Sequence, residues 1–97
     1  MAKAVQARVL AIIHGDVQGV GFRFTVFNLA QKFKVNGFVR NLRDGTVEVQ
    51  AEGEKEQLEK FISAIKIKDG WINVEKIDLE WGKAKNEFRD FSILRRE

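Results

Sequence analysis

The run Gly15 to Arg23, GDVQGVGFR, carries three glycines and closes on an arginine. Glycines at these positions let a loop backbone curl until several N–H groups face one point, and unpaired N–H groups at a helix start favour a bound anion. Arg23 falls in the first turn of the helix predicted next, so its guanidinium can grip two oxygens of a phosphate. The expected phosphate cradle is therefore Gly15, Asp16, Val17, Gln18, Gly19, Val20, Gly21, Phe22 and Arg23. The competing reading of the same residues is a tight strand-to-helix turn with Arg23 solvated. Neither GxxxxGK[ST] nor a full GxGxxG with a later acidic residue in a parallel sheet is present, so a bare phosphate-sized group suits this loop better than a nucleotide.

Charge supports an anionic ligand. The net charge is only +3, yet no carboxylate occurs from Val17 to Arg43, a window that holds Arg23, Lys32, Lys34, Arg40 and Arg43. A small anion is the first reading, nucleic acid the second, and chance in a slightly basic chain the third. His14 is the sole histidine and cysteine is absent, which argues against a zinc site and excludes disulfides and thiolate chemistry. His14 is read as peripheral, and no metal or cofactor is expected. A carboxylate beside a bound phosphate is unfavourable, so the Asp16 side chain is expected to face outward. Arg40, alternate to Asn41 along a strand, should point to the opposite face, and both Arg40 and Arg43 read as solvated surface charges. Phe24 and Phe27 lie off the main helix stripe; they either complete the rim of the ligand pocket or pack under a neighbouring strand, and packing is the expected role.

The elements that must position these residues follow from periodicity. Residues 5–13 are apolar and β-branched over a strand's length. Phe22, Val26, Leu29, Ala30 and Phe33 form one helix face, with Asn36-Gly37 expected as its C-terminal stop. Phe38–Leu42 and Thr46–Ala51, joined through Arg43-Asp44-Gly45, read as a β-hairpin. Leu58, Phe61, Ile62 and Ile65 predict a second helix over 54–65, with Glu54, Glu56 and Glu59 near its N-terminal end. After a break at 66–70, Val74–Trp81 reads as a strand, and Phe91, Ile93 and conceivably Phe88 as a last short one. The order βαββαβ plus one strand is satisfied by an α+β, ferredoxin-like sandwich: an antiparallel sheet with an extra C-terminal strand and both helices on one face. With 97 residues, one domain over 1–97 is expected.

Two registered signatures add a resemblance. Gly15, Val17, Gln18, Gly19, Val20, Phe22 and Arg23 are similar to the first acylphosphatase pattern, G-x-V-Q-G-V-x-F-R. Gly37, Phe38, Val39, Asn41, Gly45, Val47 and Gly53 resemble the second, G-F-V-x-N-x(3)-G-x-V-x(5)-G. The resemblance implies hydrolysis of the carboxyl–phosphate anhydride to a carboxylate and inorganic phosphate, without metal or covalent intermediate. It implies Arg23 as the phosphate-binding arginine, Asn41 as the residue that positions the attacking water, and a sheet order of 4-1-3-2-5. By itself Asn41, a polar residue at a strand end beside a turn, would read as a backbone cap. The absence of proline departs from the Gly-Pro pair common in the family before the fourth strand, which puts the geometry of 66–73 in doubt.

Two readings compete with the hydrolase. A basic βαββαβ domain is also the RRM architecture, but Asn36-Gly37-Phe38-Val39 echoes the RNA-binding pattern only faintly. A catalytically quiet acyl- or carbamoyl-phosphate-binding domain is the other, since similar domains occur inside larger maturation proteins. Chain length argues for a stand-alone enzyme. No apolar run is long enough to span a membrane and no signal-peptide pattern is seen, so a cytoplasmic monomer acting on a small molecule is expected, with neither nucleic acid nor membrane as partner.

Overall fold

A computed structural model describes residues 4–96. Along the chain run β1 (Gln6–Asp16), α1 (Phe22–Phe33), β2 (Asn36–Asn41), β3 (Val47–Glu54), α2 (Lys55–Ala64), β4 (Lys68–Asp69), β5 (Ile72–Gly82) and β6 (Phe91–Ile93). The strands form one sheet in the order β4-β5-β1-β3-β2-β6. Without the two-residue β4, this is the 4-1-3-2-5 order expected from the resemblance.

Alternation along β1 decides which face is covered. Ala7, Val9, Ala11 and Ile13 are buried, and their partners Ala51, Val49 and Val47 on β3 are buried with them. Phe22, Val26 and Ala30 of α1 and Leu58, Phe61 and Ile62 of α2 join the same core. Both helices therefore cover one face, and the ferredoxin-like α+β expectation stands. β1 has apolar partners on both neighbours, Val49 and Leu79 opposite Ala11 for example. That makes it the spine from which the loop to α1 departs.

Four local expectations change. Asn36-Gly37 does not stop α1 but opens β2. Lys34 takes the left-handed conformation instead (φ 57°), and the N–H of Lys34 and of Val35 bond the Gln31 and Ala30 carbonyls at 3.3 and 3.1 Å. The 66–70 break contains β4, which pairs with Asn73 and Ile72 around Gly70 and Trp71. The sheet is mixed rather than antiparallel throughout, because β6 runs parallel to β2. The cause is the route of the chain: β5 finishes beside Arg8, at the end of the sheet where β2 begins, and residues 83–90 carry it across that end. Phe88 belongs to this crossing and not to a strand. Its ring meets Phe38 edge-on at 5.9 Å, and the Arg8 guanidinium lies 5.3 Å from its centre.

The crossing is held by side chains in place of a ladder. Glu52, buried on the open face, accepts from the N–H of Lys85 at 2.6 Å and of Glu87 at 3.2 Å. Arg8 donates to Glu87 at 2.8 Å, which holds the Glu87 carboxyl below its ordinary range.

Candidate active site

The C-terminal ends of β1 and β2, the start of β3 and the start of α1 meet at one end of the molecule. Between β1 and α1 the chain must reverse within a few residues. Gly19 and Gly21 do so with φ of 75° and 79°, values that side-chain-bearing residues rarely adopt. Val17 and Phe22 are buried and Val20 packs against the core, which anchors the loop from below. Gly21 is the residue before α1, and no side chain caps the helix there. Its first turn contains no acidic residue. The opening N–H groups of α1 thus have no capping side chain or first-turn carboxylate competing for them.

A cavity of about 330 Å³ lies here, lined by Val17, Gly19, Gly21, Phe22, Arg23, Phe24 and Ile93. Arg23 is half-buried and makes no ion pair among the described residues. A half-buried guanidinium without a carboxylate partner is suited to a dianionic ligand.

The expected cradle divides into two parts. Val17, Gly19, Gly21, Phe22 and Arg23 line the cavity, whereas Gly15 and Asp16 are the last residues of β1 and pair with Val74 and Asn73. Gly15 answers a packing demand: a Cβ there would lie 2.1 Å from the Asn73 carbonyl oxygen. The Asp16 side chain is exposed, as the electrostatic argument required. Gln18 turns to the hairpin, where its Nε2 donates to the carbonyls of Leu42 at 2.7 Å and Thr46 at 2.8 Å.

That tether joins the loop to the strand end bearing Asn41. Asn41 pairs with Val47 on the helix-covered side of the sheet, and its Oδ1 is buried with no hydrogen-bond partner among the described residues. An orphaned buried acceptor is unfavourable unless a ligand or water satisfies it. The hairpin beneath is stiffened by Asp44, whose Oδ1 accepts from Thr46 N–H at 3.0 Å and Thr46 Oγ1–H at 2.6 Å. These two bonds hold the Asp44 carboxyl below its ordinary 3.8.

The basic window does not converge. Lys32 and Lys34 line a separate cavity of about 530 Å³ with Gln6, Asn36 and Glu52, at the other end of the strands. Arg40 does face away from Asn41 and stays partly exposed, but it is paired as well: its Nε donates to Glu48 at 2.6 Å and its guanidinium rests over Phe38. His14 pairs with Asp78 at 2.9 Å on the open face, which lowers the Asp78 carboxyl. Phe27 packs as expected, edge-on against Phe91, while Phe24 does not and stands at the cavity rim. Phe24 thus takes the rim position that was the less expected of its two roles, and Ile93 is the lining residue that sequence reasoning missed.

Known proteins fit this geometry. The chain is 38% identical over 93 residues to the acylphosphatase of Caldanaerobacter subterraneus subsp. tengcongensis, covering 96% of this chain and 99% of that one. It is 45% identical over 85 residues to that of Acaryochloris marina, covering 88% and 90%. The crystal structure of the acylphosphatase from Bacillus subtilis superposes with a TM-score of 0.86 at 36% identity, over 91% of this chain and 98% of that one. Full-length HypF in its phosphate- and nucleotide-bound form gives 0.85 at 32% identity, over 99% of this chain but only 13% of that one. The acylphosphatase family profile matches residues 9–93. The chain belongs to the acylphosphatase family, and its activity is the hydrolysis of acyl phosphates.

Proposed function

We propose that Arg23 and the N–H groups of the loop and of the first turn of α1 hold the phosphoryl group, and that Asn41 holds the attacking water. The supporting observation is the buried Oδ1 of Asn41, which lacks a partner among the described residues. This amide oxygen accepts a proton-bearing bond from water and leaves the water's lone pair free for phosphorus. A carboxylate in the same place would repel the anionic substrate.

The water oxygen forms a bond to phosphorus, and the bond from phosphorus to the acyl oxygen breaks. The carboxylate leaves with the electron pair, and both water protons end on the phosphate as dihydrogen phosphate. A carboxylate is a good leaving group, so positioning and charge stabilisation suffice without a strong base or a metal. Charge spread over the equatorial phosphoryl oxygens meets Arg23 and the helix start. The proposal includes a cytoplasmic monomer acting on a free small molecule, checked by cell fractionation and sedimentation.

Hydrolysis of benzoyl phosphate in EDTA tests the residue roles. Arg23→Ala and Asn41→Ala are each expected to lose about 100- to 1000-fold in rate. Inhibition by inorganic phosphate should weaken strongly in Arg23→Ala and little in Asn41→Ala, because only the first removes a phosphate ligand. Full activity in either variant sinks that residue's role. The RNA-binding reading lacks comparable support: the open sheet face carries the pairs Arg8–Glu87, Arg40–Glu48 and His14–Asp78 in place of exposed stacking aromatics.

A further inference from the structure

Phe24 is 66% exposed, an unusual state for a residue type among the most often buried. Its ring contacts Phe27 at 6.4 Å between centroids. Phe27 meets Phe91 at 6.4 Å, and Phe91 meets Phe61 at 6.0 Å in the core. Phe24 is thus the exposed outer end of an aromatic row that runs from the core to the cavity rim. Ile93, 38% exposed and two residues beyond Phe91 on β6, lines the same cavity. Arg23 is the one charged side chain in that lining.

A substrate anchored by its phosphate at Arg23 must leave its acyl group over the remaining walls, and those walls are carbon. We infer that Phe24 and Ile93 form an acyl shelf, and that the enzyme selects acyl phosphates with a bulky apolar acyl group, aromatic or branched. The inference rests on the proposed placement of the phosphate at Arg23. Apolar atoms leaving water against Phe24 and Ile93 stabilise the complex in proportion to the area covered. An acyl group carrying a second charge would lose hydration there without gaining a partner. An acetyl group, with a single methyl, covers less of these walls than a benzoyl group does.

The test compares kcat/KM for benzoyl phosphate and acetyl phosphate. Taking the ratio of the two in each protein, and then its change on mutation, cancels the intrinsic reactivity of the compounds. Phe24→Ala is expected to lower the benzoyl-to-acetyl ratio about tenfold, chiefly through KM for benzoyl phosphate, and Ile93→Ala to lower it a few-fold. Phe24→Leu should restore most of the ratio. Since Phe24 is largely exposed, these variants are expected to fold. A ratio within twofold of the wild-type value in Phe24→Ala, including an equal loss on both compounds, overturns the shelf. Arg23→Ala is run alongside. Full activity of that variant on both compounds overturns the phosphate anchor and the inference together, whereas its loss on both, with an unmoved Phe24→Ala ratio, overturns the shelf alone.

Discussion

Gln18 shows how a side chain can serve a site without facing it. Its amide bridges the Leu42 and Thr46 carbonyls, so the loop preceding α1 and the turn following Asn41 move as one piece. Gln18→Ala removes two hydrogen bonds and leaves two carbonyls short of a donor. An expected loss of about 1–3 kcal/mol in urea unfolding follows, and kcat should fall about tenfold as Arg23 and Asn41 lose their mutual register. A turnover number equal to wild type at reduced stability would show the tether to be structural only. At this scale the sequence was informative about identity, and about direction only where strand alternation or charge repulsion applied. Arg23 was legible because a helix stripe starting at Phe22 places position 23 in the first turn. For Asp16 charge repulsion favoured an outward side chain, and the residue is exposed, but its role in the loop was not legible. Gln18 was not legible, since no period or charge rule says which carbonyls a loop amide reaches, and Phe24 was legible only as a choice between pocket rim and packing.

Among the elements, the β2–β3 hairpin carries Asn41, the residue proposed to hold the attacking water. The bonds from Thr46 to Asp44 hold that carboxyl low, and Asp78 and Glu87 are held low by His14 and Arg8. A carboxyl whose folded pKa is depressed contributes stability that is present above its unfolded value and lost as pH falls through the folded value. Acidification from about pH 5 to about pH 3 should therefore lower the urea midpoint. Asp44→Ala should start lower at neutral pH and lose part of that dependence; an unchanged slope would exclude Asp44 as a contributor. Period-two and period-3.6 patterns revealed the long elements because each buries one face. They failed at β4, whose two residues are both exposed, and at Asn36-Gly37, where a left-handed Lys34 ended the helix first. The parallel course of β6 was hidden because it depends on where the preceding strand finishes.

For the whole molecule, a mixed-sign surface leaves one end chemically distinct. Lys32 and Lys34 share the sequence window of Arg23 but lie at the opposite end of α1 and β2. A six-residue strand is roughly 20 Å long. Salt at about 0.15 M screens exposed charges over about 8 Å. Lys32→Glu should accordingly leave kcat/KM for benzoyl phosphate within about twofold at that salt. A larger fall would mean that the distal charges steer the substrate. The fold class was the most legible property of all, because the element order left few short, right-handed ways to connect it.

The position of β6 gives the enzyme a further property during synthesis. A chain emerging N-terminus first presents Arg23 and Asn41 early, yet Ile93 joins the cavity only when the last of the described strands docks beside β2. On the roles proposed for Arg23, Asn41 and Ile93, a molecule without a docked β6 would keep its phosphate and water ligands but lack one wall of the cavity, so discrimination between acyl groups would report the docking of β6 more directly than turnover does.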